Sequence, residues 1–523
     1  MFSKSDEPKG PKDKLTPRSS GDEKNPGGLM SGMDIEAAKS KQGDLERAMS
    51  SRHLQFIAIG GTFGTGLFIG TGAALAKSGP VSLLLAYIFI ATVVYSVMVS
   101  LGEMAAYMPV AGSFAVYATR FYDSSLGFAL GWLYWANWAI TYALELTAAG
   151  LIIQYWDSSL SIAIWIAVFW TIFTLVNFLP IRWYGEIEMW FSTLKVVTVA
   201  GFIIYAICVN AGVGDQGYIG FKYYNSPGAF NEYMVTGPVG KFVGFWAVLI
   251  GAGFSFQGAE LVGVGAGETA NPEKAIPSAI RWTYWGISVL FVALVFFIGI
   301  NIPFDNEDLQ LGTTNASASP LVIVAKLAGV PALAHIINAV LLTAVLSAAN
   351  SNVYCASRIL LAMAREGQAP KLFARTNRHG VPWAAVGVTS LWGLVGFLNL
   401  SASGTVVFNW LLNLIAVAGF ITWALISACH IRFLRALAAQ HISRDILPYK
   451  SPLQPWLSWY GLVFNVLILM TSGFTVFIDW KTADFFACYI SVIVFVALWA
   501  GHKLWSRSTL VPLKSINLTS DRM

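Results

Sequence analysis

Charged residues are scarce in this sequence. They make up 12% of its 523 residues, whereas hydrophobic residues make up 56%. An average soluble protein carries about 25% charged residues, so the composition excludes a soluble multidomain protein. It predicts instead an all-α polytopic membrane protein with one large helical bundle. The net charge of +5 does not indicate nucleic-acid binding, because the basic residues lie in short loops and in the first part of the chain.

Cysteines and catalytic motifs are also scarce. The four cysteines all fall in or beside apolar segments, and nothing in their spacing pairs them. The sequence therefore predicts no disulfide framework and no metal site. It contains no nucleotide-binding loop, no metal-spaced group of His and Cys and no nucleophile motif, which argues against an enzyme and against a bound cofactor. No cleavable signal peptide is visible, so we expect the first apolar span to direct membrane insertion.

Apolar segments of spanning length recur along the chain. A helix needs about 20 apolar residues to cross a hydrocarbon core of ~30 Å. We predict twelve spans, approximately at 55–76, 80–102, 127–153, 160–180, 189–211, 242–267, 283–303, 332–361, 383–400, 404–428, 457–478 and 485–505. The sequence thus predicts a transmembrane domain over residues 53–505.

The two flanking segments are predicted to be cytoplasmic tails. Residues 1–52 are polar and poor in aromatics, which predicts a disordered N-terminal tail, and residues 506–523 form the C-terminal tail. Thirteen basic residues lie in loops on the side of both tails and five on the opposite side, so the positive-inside rule places both termini in the cytoplasm. A glycosylation sequon at Asn315 falls in a predicted outer loop, in agreement with this orientation.

The first span is unusually rich in glycine. It holds the run GGTFGTG at 60–66 and six glycines in all, although each interior glycine costs a helix about 1 kcal/mol relative to alanine. Small residues let two helices pack closely, and glycine also occurs where a helix opens and exposes its backbone. The sixth span carries a comparable stretch, GAGFSFQGAELVG, at 251–263.

Spans one and six each begin a set of five helices. Because five is odd, the second set starts on the opposite side of the membrane, which gives a 5+5 inverted repeat followed by two C-terminal helices. Interrupted helices at matching positions of inverted halves are typical of a transporter's central site, so we interpret both stretches as helix breaks. Open amides suit a carboxylate and open carbonyls suit an ammonium, so we expect an α-amino acid or another zwitterion as ligand.

Ionisable residues at bilayer depth are costly and therefore functional candidates. Glu145 in the third span and Lys195 in the fifth either form a structural ion pair or link proton binding to substrate occupancy. Lys195 is also long enough to reach the cytoplasmic surface. Glu260 in the sixth span either belongs to the site or caps open amides of that helix.

Other polar groups near the spans have simpler explanations. Glu103 ends the second span, and we expect it to brace a loop at the cytoplasmic edge. His430 and Arg432, at the end of the tenth span, are expected to anchor loops in the same way. The stretch SAANSN at 347–352 of the eighth span either packs through its small polar groups or closes against the first span.

The run at 60–70 resembles the first-span signature of the amino acid–polyamine–organocation transporters, and the chain resembles the fungal amino acid permeases of that superfamily. The resemblance covers about residues 50–505 and rests on several further stretches in order: 100–105, 143–146, 254–263, 267–272, 347–352 and 430–433. It implies the inverted five-plus-five fold with two additional C-terminal helices. It also implies proton-coupled uptake of amino acids at the plasma membrane.

The resemblance assigns roles to individual residues of this chain. It implies that the substrate carboxylate binds at Thr62, Gly64, Thr65 and Gly66, and the amino group at Phe254, Ser255, Phe256 and Gln257, with an aromatic gate. It implies that Lys195 occupies the place of a sodium ion and couples protons, and that Glu145 and Glu260 handle substrate and protons. The tenth span contributes to selectivity in this family, which makes Thr422 and Ser427 candidate substrate contacts.

Loop stretches at 221–230 and 442–450 are most similar to the arginine and lysine permeases, which predicts basic substrates. Thr422, Ser427 and Cys429 depart from the pattern of those permeases, so neutral or broad-range uptake stays an alternative. An amino acid sensor is a second class of function, supported by the N-terminal tail alone. The lysines of that tail could instead serve contact with ubiquitin-ligase adaptors. A passive channel is disfavoured by Lys195 and Glu145.

Overall fold

A computed structural model describes residues 50–110, 112–179, 181–269, 271–310, 319–400 and 404–519. The predicted N-terminal tail up to residue 49, the sequon at Asn315 and the junction of the ninth and tenth spans near Ala402 lie outside these residues. The helices are α1 Ser51–Thr62, α2 Thr71–Ser78, α3 Pro80–Tyr107, α4 Ser113–Phe121, α5 Ser124–Ile153, α6 Ile162–Val176, α7 Ile181–Asn210, α8 Gly237–Ala247, α9 Leu249–Phe256, α10 Leu261–Val264, α11 Pro272–Asn301, α12 Glu307–Gln310, α13 Pro320–Leu327, α14 Pro331–Arg365, α15 Trp383–Trp392, α16 Gly404–Ala439, α17 Trp456–Thr471 and α18 Thr482–Ser506.

Several long helices begin with local signals that the sequence carries. Proline occupies the first helical position of α3, α11 and α14, where its missing N–H would have no intrahelical partner. Asp123 precedes α5, and its carboxylate accepts a hydrogen bond from the backbone N of Leu126 at 2.8 Å. This N-cap satisfies one amide that the first turn leaves open. The starts of these spans are therefore fixed by the sequence itself.

Eleven helical segments within the described residues are long and apolar enough to cross a membrane. They correspond to eleven of the twelve predicted spans. The predicted fourth span is α6, whose 15 residues extend about 22 Å. This helix is shorter than a bilayer core, because the described chain turns at Asn177 after its last helical residue. The all-α polytopic fold class is confirmed.

The two halves of the bundle pack together through matching spans. In the described part of the chain, the most extensive helix contacts join α5 to α14 and α3 to α11, which are spans three and eight and spans two and seven. The broken spans one and six also contact each other, through α1 and α10. Pairing of equivalent members is the arrangement that the inverted repeat predicts.

The spans differ in how deeply they lie in the bundle. In α5, 89% of the most apolar stretch is buried, whereas the corresponding share is 28% for Trp456–Phe477 and 11% for α18. The third span is therefore central, and the last two spans lie at the periphery with apolar faces open to lipid. This position brings Glu145 of α5 into the middle of the protein.

Candidate functional site

The first span is interrupted between α1 and a short π-helical segment, Gly66–Gly70. The backbone N of Gly64 donates to the carbonyl of Thr62 at 3.1 Å, so the Gly60 carbonyl lacks its regular helical partner. The backbone N of Thr65 donates instead to the Glu145 carboxylate, at 3.3 Å. The predicted break is confirmed, and both a carbonyl and an amide that it frees bind side chains.

The sixth span is interrupted after Phe256, where α9 ends. Gln257 has an extended backbone with a ψ of 141°, and Gly258 has a φ of +105°, a conformation that L side chains rarely adopt. A Cβ on Gly258 would lie 2.8 Å from the carbonyl carbon of Gly61. The two breaks therefore meet backbone to backbone, and a side chain at Gly258 would separate them.

A small cavity of about 20 Å³ lies between the two broken helices. Its walls come from both breaks and from α5: Gly61, Thr62, Gly64, Gly66, Asn137, Trp138, Thr141, Glu145, Phe254 and Gln257. This volume holds about one water molecule, so the site is closed around a space much smaller than an amino acid. Six of the predicted site residues are brought together here.

The cavity residues carry buried polar atoms that lack a hydrogen-bond partner among the described residues. They are Glu145 Oε2, Gln257 Oε1, Asn137 Oδ1 and Trp138 Nε1. Buried polar groups in proteins are almost always paired, because an unpaired one costs about 1–3 kcal/mol. Three acceptors and one donor left unpaired around one cavity indicate a place for a polar ligand.

Glu145 reaches the first break from the middle of α5. Its Oε1 accepts hydrogen bonds from the backbone N of Thr65 and from Thr65 Oγ1, at 3.3 and 3.0 Å. Glycine is required beside it, since a Cβ on Gly64 would lie 2.7 Å from the same carboxylate oxygen. One oxygen thus holds the break together while the other stays unpaired at the cavity.

Lys195 reaches the first break from α7. Its Nζ donates to the freed carbonyl of Gly60 at 2.6 Å, and the residue is 1% exposed. It does not extend to the cytoplasmic surface, so that explanation of Lys195 is wrong. Its charge acts on two carboxylates, Glu188 of its own helix and Glu145. Lys195 does not line the cavity, so it supports the site from behind α1.

Glu260 lies away from the cavity and has a full set of hydrogen bonds. Tyr134 donates to its Oε1 at 3.0 Å, while Trp423 Nε1 and the backbone N of Gly258 donate to its Oε2 at 3.2 and 3.1 Å. This geometry matches the alternative in which Glu260 caps the open amides of the sixth span. It does not offer an unpaired carboxylate oxygen to a ligand.

Five other predicted contacts also lie outside the cavity lining: Thr65, Ser255, Phe256, Thr422 and Ser427. Tyr87 forms a 2.8 Å hydrogen bond with Ser255, and Phe256 packs against the ring of Phe291. Thr422 and Ser427 each donate to a carbonyl one turn earlier in α16, at 3.0 Å. In this closed state these side chains support the helices that form the site.

A second, larger cavity of about 390 Å³ adjoins the small one. Gly66 and Phe254 line both cavities, and the larger one extends past Lys77 and Asn409 to one end of the bundle. A Cβ on Gly66 would lie 2.7 Å from the Phe254 ring. The phenyl ring therefore forms part of the wall between the open cavity and the closed one.

Sequence reasoning missed three cavity residues of α5 and one buried carboxylate. Asn137, Trp138 and Thr141 precede Glu145 on the same helix, and Asn137 and Thr141 do so at intervals of four residues. This helical spacing of polar residues would have identified the face that lines the site. The missed carboxylate is Glu188, seven residues before Lys195 and fully buried.

The loop-bracing predictions are confirmed at the end of the bundle. α3 continues past its predicted end to Tyr107, which places Glu103 in a buried turn. Arg444 donates from Nε and Nη2 to the two carboxylate oxygens of Glu103, at 2.6 Å each. His430 Nε2 lies 3.2 Å from the same carboxylate. Arg432 donates to backbone carbonyls at 121 and 511, which ties the C-terminal segment to α16.

Comparison with known proteins identifies the family. The amino acid permease family model matches residues 53–513. The chain belongs to the amino acid permease family. It is 42% identical to the basic amino-acid permease of Saccharomyces cerevisiae over 494 residues, which covers 94% of this chain and 86% of that protein. It is 44% identical over 470 residues to the lysine/arginine permease CAN1 of Candida albicans, covering 90% and 82%.

A third relative carries a different name. The chain is 41% identical over 485 residues to the proline-specific permease of Emericella nidulans, covering 90% of this chain and 88% of that protein. Membership of this family confirms the prediction of a fungal-type amino acid transporter rather than an enzyme. Within the described residues no group of three or more His, Cys, Asp or Glu side chains is placed to hold a metal ion.

Proposed function

We propose that this permease takes up basic amino acids such as arginine and lysine across the plasma membrane, coupled to protons. The observation that carries the proposal is the unpaired Glu145 oxygen at a cavity between two broken helices. A fixed anionic oxygen at the site favours a cationic partner over a neutral one. The names of two relatives, a basic amino-acid permease and a lysine/arginine permease, support the same substrate class.

The backbone of the two breaks binds the part common to all amino acids. The start of the π-helical segment at Gly66 offers amides and a positive dipole end, which suits the substrate carboxylate. The end of α9 at Phe256 offers carbonyls, which suit the α-ammonium. The backbone site is completed by Thr62, Gly64 and Thr65 from the first break and by Gln257 from the second. Phe254 is the gate that moves when the site enlarges.

Glu145 sets the preference for the cationic side chain. Its Oε2 accepts from a guanidinium or an ammonium while Oε1 keeps its two bonds to Thr65. The relative named for proline is nearly as similar as the basic permeases, so overall identity does not choose between substrates. A neutral or broad-range permease is the alternative, in which Glu145 acts only on the break and on protons.

Lys195 couples the site to protons. Its ammonium binds the Gly60 carbonyl and therefore holds α1 in its present position. When Lys195 loses its proton, that bond loses its charge assistance and α1 is released. Glu145 and Lys195 interact electrostatically, so a cation or proton bound at Glu145 changes the protonation equilibrium of the Lys195 amine.

The positive-inside pattern gives the orientation of this proposal. Both tails, residues 1–52 and 506–523, lie in the cytoplasm, and the larger cavity past Lys77 opens to the outside. The apolar faces of the peripheral helices contact membrane lipid. The lysines of the N-terminal tail are available for contact with ubiquitin-ligase adaptors.

Uptake of radiolabelled arginine, lysine and alanine in cells without their own permeases tests the function. We expect arginine and lysine to accumulate, and a protonophore to abolish the accumulation. Preferential uptake of alanine would favour the neutral alternative, and arginine accumulation that survives the protonophore would exclude proton symport. Binding of arginine by surface-expressed protein without any uptake would favour the sensor.

Replacement of Lys195 tests the coupling. We expect Lys195→Met to abolish concentrative uptake, with exposed Lys222→Met as the matched control that accumulates arginine normally. Surface expression of both variants is measured in parallel. Unchanged accumulation by Lys195→Met would exclude its role in proton coupling.

A further inference from the structure

Glu188 is a buried carboxylate to which the proposed mechanism assigns no role. It lies in α7, with its carboxylate beside Gly60 in the last turn of α1, and it is 0% exposed. It precedes Lys195 by seven residues, about two helical turns, so the two side chains share one face of α7. That face packs against α1 and α14.

The first broken helix brings Glu188, Lys195 and Glu145 into one row. A Cβ on Gly60 would lie 1.9 Å from Glu188 Oε1, and the Gly60 carbonyl accepts the Lys195 ammonium at 2.6 Å. Four residues further on, in the break after α1, a Cβ on Gly64 would lie 2.7 Å from Glu145 Oε1. The glycines let three ionisable groups approach the first span closely, between the last turn of α1 and the cavity.

The surroundings of Glu188 leave part of its hydrogen-bonding capacity unused. Ser347 of α14 donates to Oε1 at 2.8 Å, and Ser192 lies 3.4 Å from the same atom. Ser192 also donates to the Phe56 carbonyl at 2.9 Å, and its single proton serves one acceptor at a time. Oε2 is buried without a partner among the described residues.

The charged groups around Glu188 are few. Lys195 acts on it electrostatically, and Ser351 of α14 forms a further hydrogen bond with the carboxylate. Arg358, two turns further along α14, stacks on Tyr354. The remaining acidic and basic side chains described on the packed elements α1, α11 and α14 are exposed: Arg52, Glu273, Lys274, Arg281, His335 and Arg365.

We propose that Glu188 is a second proton-binding site, between Lys195 and the side of the membrane at which α1 starts. This inference rests on the proposed proton symport. Lys195 passes its proton to the Glu188 carboxylate, which leaves a neutral amine and a neutral acid. Protonated Glu188 then releases that proton to water on the side of the membrane at which α1 starts, and Lys195 regains one from Glu145, which has taken it up from water of the larger cavity. One proton crosses in each cycle.

The unused oxygen explains why Glu188 suits this task. A carboxylate held only for structure would be paired at both oxygens, as buried polar groups usually are. Oε2 can instead accept a proton without breaking the bond from Ser347 to Oε1. The neutral acid is also the form that a buried site tolerates best.

Purified protein in proteoliposomes provides the test, with three measurements on each variant. Arginine counterflow reports binding and the movement of the carrier, accumulation driven by an imposed pH gradient reports coupling, and a trapped pH dye reports protons. We expect Glu188→Gln to keep counterflow within about twofold but to lose at least nine-tenths of gradient-driven accumulation and of arginine-linked proton flux. Glu186→Gln, at an exposed acid of the same helix, is the matched control and should keep all three.

The outcomes separate this inference from the proposed function. Wild-type protein that moves arginine without protons would remove the proposed symport itself. Glu188→Gln that accumulates arginine normally, or that loses counterflow as fully as accumulation, would overturn the role of Glu188. Should Glu188→Gln fail to fold, Glu188→Asp and Ser347→Ala are expected to shift the pH of half-maximal uptake, and an unmoved pH profile in both would equally overturn it.

Discussion

Two buried carboxylates in this permease, Glu103 and Glu145, differ in how their oxygens are used. Both are at most 2% exposed. Both oxygens of Glu103 accept hydrogen bonds, from Arg444, His430 and Ser451. Glu145 has two donors from Thr65 at one oxygen and none at the other among the described residues. Burying a carboxylate costs free energy. Where one of its oxygens stays unpaired, the contacts of the fold do not fully offset that cost.

The same distinction sorts two further buried acids, Glu188 and Glu260. Glu260 resembles Glu103, because Tyr134, Trp423 and the Gly258 amide occupy its oxygens. Glu188 resembles Glu145, because one of its oxygens is unpaired. The unpaired acids lie along the first broken helix, and the paired acids fix other elements. We infer that Glu145 and Glu188 act in transport and that Glu103 and Glu260 contribute to stability.

The largest effect is expected from Glu145→Gln. The amide keeps the shape of the side chain but removes the charge that meets a cationic substrate. We expect arginine uptake per surface molecule to fall about 100-fold, equal to about 2.7 kcal/mol, and the preference for arginine over its neutral isostere citrulline to disappear. Initial uptake rates of both compounds measure this. Equal losses for arginine and citrulline would instead indicate a structural ion pair.

The next effect is expected in stability, from Glu103→Gln. The substitution leaves Arg444, which is 32% exposed, without a counter-charge, so we expect a loss of about 2 kcal/mol in the free energy of unfolding. Thermal unfolding of the purified protein in detergent measures the loss. Arginine transport per folded molecule should stay within about twofold of wild type. A selective loss of transport with an unchanged free energy of unfolding would contradict the distinction between Glu103 and Glu145.

A smaller effect is expected when a methyl group is added beside Glu145. In Gly64→Ala the new Cβ falls 2.7 Å from Glu145 Oε1, so the carboxylate must move and the affinity for arginine should fall about tenfold. Gly251→Ala is the matched control from the other broken span, because a Cβ there has no neighbour within 4 Å. Concentration dependence of uptake measures both. Equal apparent affinities in the two variants would contradict the close approach at Gly64.

The smallest effect is expected at an exposed acid. Lys450, and then the Ser443 hydroxyl, bind the Asp445 carboxylate and lower the pKa of this fully exposed group. A lowered pKa in the folded protein means that any stabilisation is present above the usual pKa of aspartate and is lost as the pH falls. Because solvent screens an exposed pair, Asp445→Asn should leave thermal unfolding unchanged at pH 7. A lower unfolding temperature for Asp445→Asn would show that the exposed Asp445–Lys450 pair stabilises the protein as the buried Glu103 contacts do.

The spans and the two breaks could be predicted from the sequence because their signals are local. Apolar length identifies a span, and clustered glycines identify a helix that opens, as at 60–66 and around Gly258. The exception is α6, whose apolar residues extend to the predicted length although the described helix ends at Val176. Helix ends depend on the following turn, which hydropathy does not record.

The partners of the buried acids could not be predicted in the same way. Glu260 and Glu145 have similar apolar surroundings in the sequence, yet Trp423 and Tyr134 occupy the oxygens of Glu260 from 163 and 126 residues away. Such contacts depend on how α5, α16 and the broken sixth span cross. Glu188 was missed for a related reason, since it lies near the predicted start of its span, where a charge is ordinary.

One comparison tests the central claim most directly: arginine uptake driven by an imposed pH gradient in proteoliposomes that contain equal amounts of folded Glu145→Gln or Glu103→Gln protein. If unpaired oxygens mark the acids that act in transport, Glu103→Gln should match wild type within about twofold, and Glu145→Gln should be about 100-fold slower. Equal rates in the two variants, whether both are retained or both are lost, would contradict the claim.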